Sequence, residues 1–305
     1  MSPETLALGG DLVVRRVGFG AMRIASAGGP DAVRALLRRA MELGVNLIDT
    51  ADAYGPERSE RLIAESLHPY PRDLVIATKG GQVRDQGGHA RPDGRPEHLR
   101  AACEASLGRL RLDRIDLYQL HSVDPDVPME ESLGALAELR SEGKIRHIGV
   151  SNVFGERFTL ALSTAPVVSV ENRYNLAERR AEEVLRACER REIAFMPWAP
   201  LGRGSLAQAN PALDRIAHAH AATRAQVALA WLLQRSPVTI PIPGTTSIPH
   251  LEENAASASL RLSGEELAEL DSASFGGTHA SSTVEERARD GSSVRDNRDP
   301  QRRGP

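Results

Sequence analysis

Short apolar runs rich in β-branched residues alternate with longer amphipathic segments along most of this chain. The runs read as strands covered on both faces, and the segments between them follow the 3.6-residue period of a helix. Such alternation is typical of βαβ units in a parallel sheet. The predicted strands cover residues 16–22, 45–50, 74–79, 115–121, 145–150, 167–171, 193–198 and 238–243. Eight strand and helix pairs predict an α/β fold of the (β/α)8 TIM-barrel class.

The helix predicted over residues 30–44 shows the helical pattern most clearly. It begins at Pro30, ends at Gly44 and places its apolar residues on or near one stripe. The stripe consists of Val33, Leu36, Leu37, Ala40, Met41 and Leu43. Comparable patterns predict helices over residues 96–110, 224–236 and 263–274.

The two ends of the chain follow other patterns. Residues 6–14 have two apolar arms around Gly9-Gly10-Asp11, which predicts a β-hairpin that caps the N-terminal end of the barrel. After residue 275 the chain is rich in Gly, Ser, Arg and Asp and has few large apolar side chains, so it cannot offset the entropy of ordering. We therefore predict a barrel domain over 1–275 and a flexible, disordered polar tail over 276–305.

Composition excludes several classes of protein. A formal net charge of −3 gives no electrostatic basis for broad contact with nucleic-acid phosphates. No apolar run approaches the roughly 20 residues that a membrane helix needs, and the N-terminus lacks the pattern of a signal peptide. We therefore expect a cytoplasmic protein with neither nucleic-acid nor membrane partners. Cys103 and Cys188 lie in separate helical segments without CxxC spacing, which predicts reduced, buried thiols; no metal site is predicted.

The candidate chemistry lies at three predicted strand ends. Asp49, Lys79 and His121 each stand at or near such an end, and Tyr54 follows the aspartate by five residues. In a parallel barrel these ends meet on one face, where catalysis takes place. A tyrosine hydroxyl, with an ordinary pKa of about 10, needs a nearby cation to act as an acid at neutral pH. Lys79 can be that cation; Asp49 would hold it charged, and His121 could donate to the substrate oxygen or pass a proton on.

Four such groups suit the reduction of a carbonyl, in which hydride reaches carbon and a proton reaches oxygen. No side chain supplies hydride, so a nicotinamide cofactor is implied. A Rossmann fold is disfavoured because the glycines within 18–23 and 202–205 lack the GxGxxG spacing of a strand-to-helix turn. The cofactor must therefore bind in another way.

The order of these motifs resembles that of the aldo-keto reductases, over residues 5–275. GVNLIDTADAYG, ATKGG and LYQLH match the family's motifs, and SLHPYPRDLVIATK and IPGTTSIPHLEEN look similar to a bacterial subgroup that includes pyridoxal reductases. The resemblance implies a barrel that binds extended NADP(H) across its mouth. It also implies that Tyr54, Lys79, Asp49 and His121 are the catalytic tetrad.

The same resemblance implies a set of cofactor contacts. Ser151 and Asn152 would hold the nicotinamide carboxamide, Trp198 would stack on the ring, and Thr245 and Thr246 would meet a phosphate before a helix that starts near residue 249. The full set is Gly20, Met22, Asp49, Ser151, Asn152, Glu171, Trp198, Leu201, Gly202, Arg203, Ser205, Gly244, Thr245, Thr246, His250, Glu253 and Asn254.

Two positions depart from the family pattern. Glu171 stands where the family usually has glutamine, and an ionised glutamate cannot donate a hydrogen bond. Its negative charge would favour the cationic, oxidised nicotinamide, so we hypothesise a binding equilibrium biased toward NADP⁺. Gly244 and His250 stand where many relatives have a lysine and an arginine that grip the 2′-phosphate. NADP(H) is expected to be preferred, with NAD(H) as a second cofactor.

The resemblance implies a small-molecule aldehyde or ketone as substrate and a monomeric enzyme. A pyridoxal-like aldehyde is one candidate, and a simple aldehyde, a quinone or a keto-sugar fits equally well. Two alternatives from other classes stay open. One is a cofactor-binding regulatory protein on the same fold, and the other is a barrel lyase in which Lys79 forms a Schiff base.

Overall fold

Parallel strands surrounded by helices form a barrel in the computed structural model, which describes residues 4–55, 57–84, 89–207 and 210–275. The strands are β1 (Thr5–Leu8), β2 (Leu12–Arg15), β3 (Phe19–Gly20), β4 (Leu47–Asp49), β5 (Val75–Gly80), β6 (Gln82–Arg84), β7 (Ala90–Pro92), β8 (Ile115–Leu120), β9 (Ile145–Ser151), β10 (Val167–Glu171) and β11 (Ala194–Phe195). The α-helices are α1 (Pro30–Glu42), α2 (Arg58–Leu67), α3 (Pro96–Leu110), α4 (Met129–Ser141), α5 (Gly155–Thr164), α6 (Glu182–Glu189), α7 (Pro211–Ala219), α8 (Arg224–Arg235), α9 (Ile248–Ala256) and α10 (Gly264–Ser272).

The barrel wall closes through a segment between its first and last strands. Seven parallel strands form one sheet in the order β11-β10-β9-β8-β5-β4-β3. Residues 238–243 lie between the two edges of this sheet. On one side the Ile240 N–H donates to the Phe195 carbonyl at 2.8 Å, and on the other the Gly18 N–H donates to the Pro241 carbonyl at 3.0 Å. The predicted (β/α)8 barrel is confirmed.

Three of the predicted strands are shorter or less regular than expected. β3 and β11 are two-residue strands, and the closing segment 238–243 pairs through one isolated bridge and hydrogen bonds. Proline explains part of the difference, because Pro197, Pro241 and Pro243 have no N–H to donate to a neighbouring strand. The other five predicted strands lie within two residues of the observed ones.

Helix α1 buries the predicted apolar stripe against the outside of the barrel. Val33, Leu36, Leu37 and Ala40 are buried in a cluster with strand residues such as Ile48. Burying each large aliphatic side chain stabilises the fold by about 1.5–3 kcal/mol. The helix ends where Gly44 adopts a left-handed conformation with φ of +81°, as a terminating glycine does.

The predicted N-terminal hairpin is confirmed as β1 and β2, which pair antiparallel across Gly9 and Gly10. Its buried residues Leu8, Leu12 and Val14 pack among side chains of the barrel interior. The interior partners include Leu47, Val75, Leu117 and Ile240. The hairpin therefore closes one end of the barrel, and an Asp11 carboxylate oxygen 2.6 Å from His147 Nε2 ties its turn to β9.

A second hairpin follows Lys79, in a stretch whose Gly and Arg content suggests only a loop. Strands β6 and β7 pair antiparallel, with Val83 opposite Arg91. The Arg84 Nε–H donates to the Ala53 carbonyl at 3.4 Å, which places the hairpin beside the turn that carries Tyr54.

Cys103 and Cys188 are buried and unpaired, as predicted, and burial raises the pKa of each thiol to about 12. Among the described residues, no cluster of three or more His, Cys, Asp or Glu side chains is arranged to hold a metal ion. None of the described helices combines the length and apolar character needed to cross a bilayer. The tail 276–305 lies outside the described residues, so the domain boundary at 275 stays a prediction.

Candidate active site

Four polar side chains meet at the C-terminal ends of the barrel strands. Asp49 is the last residue of β4, Lys79 lies one residue before the end of β5, and Glu171 is the last residue of β10. Gln119 of β8 is opposite Lys79 in the strand register. Because side chains alternate across a strand, this register directs these polar groups to the same side of the sheet. The predicted convergence of strand ends on one face is confirmed for Asp49 and Lys79.

Lys79 lies at the centre of this group. Its Nζ is 2.6 Å from Asp49 Oδ2, 3.0 Å from the Thr50 carbonyl oxygen and 3.3 Å from the Tyr54 hydroxyl. A second carboxylate approaches as well, with Glu171 Oε2 at 3.2 Å. The Lys79 side chain is fully buried, at 0% exposure. An ammonium has three N–H donors, so four acceptors compete for them.

The two carboxylates keep Lys79 charged in spite of its burial. Burial favours the neutral amine, but the negative charges of Asp49 and Glu171 outweigh that effect and raise the pKa of Lys79. Lys79 is therefore an ammonium at neutral pH. Removing either carboxylate would leave a buried cation with fewer partners, which is costly in the protein interior.

The pKa of Tyr54 differs from the expectation drawn from the sequence. We expected Lys79 to lower it, and the ammonium does act in that direction. Burial of the hydroxyl is the larger effect, however, and the charges of Asp49 and Glu171 also oppose Lys79, so the pKa of Tyr54 is raised. The phenol is thus fully protonated at neutral pH, as a proton donor must be.

His121 completes the predicted tetrad. Its ring stands edge-on to the Tyr54 ring, with centroids 5.7 Å apart and an interplanar angle of 84°. The residue directly follows β8 and is buried. Since His121 lies beside Tyr54 and Tyr54 contacts Lys79, the four predicted residues form one connected group.

Three of the predicted nicotinamide contacts are joined by hydrogen bonds. The Asn152 amide donates from Nδ2 to the His121 carbonyl at 3.2 Å and to Ser151 Oγ at 3.0 Å. Asn152 Oδ1 in turn accepts from the Trp198 indole N–H at 3.1 Å. Asn152 adopts a left-handed conformation with φ of +61°, which asparagine tolerates better than most residues. Its amide is therefore held in one orientation beside the tetrad.

Trp198 is half-buried at the mouth of the barrel. One part of its ring packs against the barrel interior, and the guanidinium carbon of Arg203 lies 5.5 Å from the ring centroid. Its backbone pairs with Arg173 in a parallel bridge beyond the end of β11. A partly exposed aromatic ring with a fixed N–H is suited to stacking on a planar ligand.

A second group of predicted cofactor residues surrounds the start of α9. Ser247 is the N-cap residue, and Pro249 is the second residue of the helix, so the predicted helix start near 249 is one residue late. The Ser247 side chain does not cap the helix. The first N–H groups of α9 are therefore suited to bind an anion. Gly244, Thr246 and His250 are exposed around this terminus.

The first strand and the closing segment come into close contact beside this terminus. A Cβ atom on Gly20 would lie 2.6 Å from the Ile242 carbonyl oxygen, and one on Gly244 would lie 2.6 Å from the Gly20 carbonyl oxygen. Only glycine fits at either position. The uncapped helix terminus and this glycine-lined surface are compatible with the phosphates of a dinucleotide.

The other predicted cofactor residues belong to three separate places. Leu201, Gly202 and Arg203 lie at a 3-10 turn over Gly202–Ala207, Met22 is exposed after β3, and Glu253 and Asn254 lie on α9. Ser205 lies in the 3-10 turn, but its side chain is not among those described. Their contacts with a cofactor stay predictions.

Sequence reasoning missed Gln119. Its Nε2 donates to Glu171 Oε2 at 2.9 Å and to Asp49 Oδ1 at 3.3 Å, so it joins the two carboxylates. The signal was present, since Gln119 precedes His121 by two residues and interrupts an apolar run that reads as a buried strand.

Comparison with known proteins agrees with this geometry. The sequence matches the aldo/keto reductase family over residues 16–274. It is 47% identical over 268 residues to an uncharacterized oxidoreductase of Schizosaccharomyces pombe, a match covering 86% of this chain and 87% of that protein. It is 41% identical over 283 residues to pyridoxine 4-dehydrogenase of Escherichia coli, covering 89% of this chain and 98% of the relative.

Solved structures give the same result. A Klebsiella pneumoniae aldo-keto reductase in complex with NADPH has a TM-score of 0.77 and 30% identity, covering 89% of this chain and 95% of its own. A glycerol dehydrogenase of Gluconobacter oxydans has a TM-score of 0.81 and 29% identity, with the same coverage of both chains. The family match spans most of the chain, and this chain belongs to the aldo/keto reductase family.

Proposed function

We propose that this protein is an NADP(H)-dependent oxidoreductase that reduces an aldehyde or ketone to an alcohol, with Tyr54 as the general acid. The observation that carries the proposal is the position of Lys79, 2.6 Å from Asp49 Oδ2 and 3.3 Å from the Tyr54 hydroxyl. A protonated phenol beside a buried ammonium, at the strand ends of a barrel, is a ready proton donor for a developing alkoxide.

Each residue of the tetrad has a distinct part in this mechanism. When bound, the nicotinamide supplies the hydride. Tyr54 donates its proton to the carbonyl oxygen, and Lys79 stabilises the phenolate that remains. Asp49 holds the ammonium in place, and His121 donates a hydrogen bond that orients the substrate oxygen. The same groups serve alcohol oxidation in reverse.

The cofactor is proposed to lie across the mouth of the barrel. Ser151 and Asn152 would bind the carboxamide, Trp198 would stack on the ring, and the uncapped start of α9 would bind a phosphate. Structurally similar Klebsiella pneumoniae proteins bind NADPH and NADP, which supports NADP(H) as the preferred cofactor here. Gly244 and His250 provide neither a guanidinium nor an ammonium group for the 2′-phosphate, so NAD(H) is proposed as a weaker alternative.

Pyridoxal is the first substrate to test. The E. coli relative named pyridoxine 4-dehydrogenase supports a pyridoxal-like aldehyde, because the alcohol that its name specifies becomes such an aldehyde on oxidation. Simple aldehydes, quinones and keto-sugars complete the panel, since loops around a barrel mouth determine substrate choice. A monomeric state and a cytoplasmic location stay predictions from the sequence.

The lyase alternative is disfavoured by the charge on Lys79. A Schiff base forms from a neutral amine, whereas Asp49 and Glu171 raise the pKa of Lys79 and keep it an ammonium. The regulatory alternative requires negligible turnover. Steady oxidation of NADPH with a carbonyl substrate would exclude it.

The test compares two tyrosine variants in NADPH-dependent reduction of pyridoxal and the panel. Tyr54→Phe removes the proposed acid, and turnover should fall by roughly 10²–10⁴-fold while NADPH still binds. Tyr70→Phe is the matched control, because the Tyr70 hydroxyl donates to the Leu110 carbonyl outside the barrel mouth. Full activity in Tyr54→Phe would overturn the assignment of the acid. A protein that binds neither NADPH nor NADH would overturn the reductase proposal itself.

A further inference from the structure

Two carboxyl groups share one buried cation at the base of the proposed nicotinamide site. Asp49 Oδ2 and Glu171 Oε2 lie 2.6 and 3.2 Å from Lys79 Nζ, and all three side chains are at most 3% exposed. With every group ionised, this cluster would carry a net charge of −1 in the protein interior. Burying an uncompensated charge is costly, so the cluster has a reason to take up one proton.

The hydrogen-bond donors around Glu171 do not compensate this net charge of −1. The Gln119 amide donates to both carboxyl groups, and its own Oε1 accepts from Ser169 Oγ at 3.2 Å. Both are neutral. The charged or titratable groups that face Glu171 are Asp49 from β4, Lys79 from β5 and Tyr54 from the turn after β4.

The balance of these groups favours a proton on the pair. Burial and the charge of Asp49 raise the pKa of Glu171 to about 8, although Lys79 acts in the opposite direction. Burial also raises the pKa of Asp49. Because two interacting carboxyl groups titrate as a unit, we assign the proton to the pair and not to one oxygen.

We propose that the Asp49–Glu171 pair holds one additional proton while the nicotinamide site is empty or occupied by reduced cofactor, and releases it when the nicotinamide is oxidised. The oxidised ring carries a positive charge, and a cluster with a net charge of −1 complements it. The reduced ring is neutral, and a neutral cluster suits it better. This inference rests on the proposed function and makes Glu171 a positioning residue that acts through Lys79.

The stored proton has a route to the substrate. Tyr54 gives its proton to the substrate oxygen, Lys79 gives one to the Tyr54 phenolate across 3.3 Å, and the Glu171 carboxyl gives one to Lys79 across 3.2 Å. The phenol and the ammonium are then restored, both carboxylates are ionised, and the pair has lost one proton. Hydride reaches the carbonyl carbon and the proton from Tyr54 reaches the oxygen, so the alcohol gains the two hydrogens that reduction requires. Solvent reloads the pair after the oxidised cofactor leaves.

A glutamine at position 171 would perform none of these steps. It is neutral at every pH in question and has no acidic proton to give. Glu171→Gln therefore separates the proton-holding role from simple hydrogen bonding, because the amide keeps the size of the side chain and an acceptor oxygen for Gln119. The control is Glu266→Gln, since Glu266 caps α10 and a glutamine also completes a capping box.

The experiment counts protons during cofactor binding. Titration calorimetry of the full chain at pH 7, in buffers of different ionisation enthalpy, measures the protons released with NADP⁺ and with NADPH. Both ligands carry the same phosphates, so the difference isolates the nicotinamide. We expect NADP⁺ to release up to one proton more than NADPH. As pH rises toward about 8, the Kd for NADP⁺ should fall by as much as tenfold per pH unit. The Kd for NADPH should change far less over the same range.

The outcomes separate this inference from the proposed function. Loss of the difference in Glu171→Gln, with its retention in Glu266→Gln, supports the inference. Equal proton counts for the two cofactors in the wild-type protein overturn it and leave the reductase proposal standing, whether or not the variant folds. A difference that survives in Glu171→Gln also overturns it. Failure to bind either cofactor overturns both.

Discussion

The backbones of Gly20 and Gly244 are in close contact at the point where the first strand of the barrel meets the closing segment. A Cβ atom on Gly244 would lie 2.6 Å from the Gly20 carbonyl oxygen, and the neighbouring backbone has no flexible side chain to move aside. This contact gives a physical reason for a glycine at position 244. Closure of the barrel therefore restricts position 244 to glycine.

Gly244→Ala should therefore destabilise the protein, by about 1–3 kcal/mol, because it overpacks a backbone contact. Gly134→Ala is the matched control. Gly134 lies inside α4, a Cβ there would meet no atom within 4 Å, and alanine should stabilise the helix by about 0.5–1 kcal/mol. Urea midpoints of the two variants and the wild type measure both effects. Equal stability of Gly244→Ala and the wild type would show that the closing segment shifts without cost.

Glu171 should make the folded protein less stable as pH rises. Its pKa is raised from 4.5 to about 8 in the fold, so the folded state binds more protons than the unfolded state between those values. Its contribution to stability is complete below pH 4.5 and is lost as pH rises through 8, by up to about 1.4 kcal/mol per pH unit. Glu171→Gln should remove this loss, so the free energy of unfolding of the variant relative to that of the wild type should rise from pH 5.5 to pH 8.5.

Urea unfolding at several pH values measures that difference. Asp52, whose pKa burial raises to about 7, adds a loss of the same sign in both proteins and cancels in the comparison. Glu266→Gln provides the opposite case. Its hydrogen bond with the Ser263 backbone lowers the pKa of Glu266, so this carboxylate stabilises the fold above its ordinary pKa and loses the effect only in acid. A constant difference between Glu171→Gln and the wild type across this range would contradict the prediction.

Trp198→Phe should weaken cofactor binding by about 5–10-fold while leaving the fold intact. Phenylalanine keeps an aromatic face but has no N–H for Asn152 Oδ1, and a lost hydrogen bond of about 1 kcal/mol frees that amide to rotate. Emission of bound NADPH gives the Kd without relying on tryptophan fluorescence. In the control Trp231→Phe, the lost partner is Asp271 on α10, so stability should fall and the Kd should not change. Equal Kd values for Trp198→Phe and the wild type would remove Asn152 from the proposed carboxamide contact.

Three residues of the predicted tetrad could be chosen from the sequence because they are polar residues at or near the ends of apolar strands, and the fold brings such ends together. Asp49, Lys79 and His121 all have this placement. Gln119 has a different one, inside the strand, where a polar residue is easily taken for a tolerated exception. The sequence also indicates that Lys79 stabilises a Tyr54 phenolate. It does not indicate how strongly burial and two carboxylates oppose that effect, because burial is a property of the assembled barrel.

The irregular parts of the fold were harder to predict. Strand propensity indicates an extended segment over 238–243. The actual pairing depends on its prolines, which have no N–H to donate, and on Gly18 and Gly20, whose N–H groups donate to the Pro241 and Pro243 carbonyls. The hairpin β6–β7 was not predicted, because its sequence has a composition typical of loops. The hairpin also contacts the turn that carries Tyr54 through the Arg84 Nε–H and the Ala53 carbonyl, a tertiary contact that leaves no local signal in the sequence.

His250→Arg should add a guanidinium contact to the 2′-phosphate and increase the preference for NADPH over NADH by about tenfold. His250 is exposed in the first turn of α9, where the uncapped helix start already favours an anion. A guanidinium there would add a charge-assisted hydrogen bond of about 1.5–3 kcal/mol, which Gly244 cannot supply because its contact with Gly20 excludes a longer side chain. His218→Arg adds the same charge at an exposed position of α7 and should leave the ratio of the two Kd values unchanged. Because an exposed charge is screened by salt, the gain at position 250 should shrink as ionic strength rises. A ratio that is the same in both variants would place the 2′-phosphate away from His250.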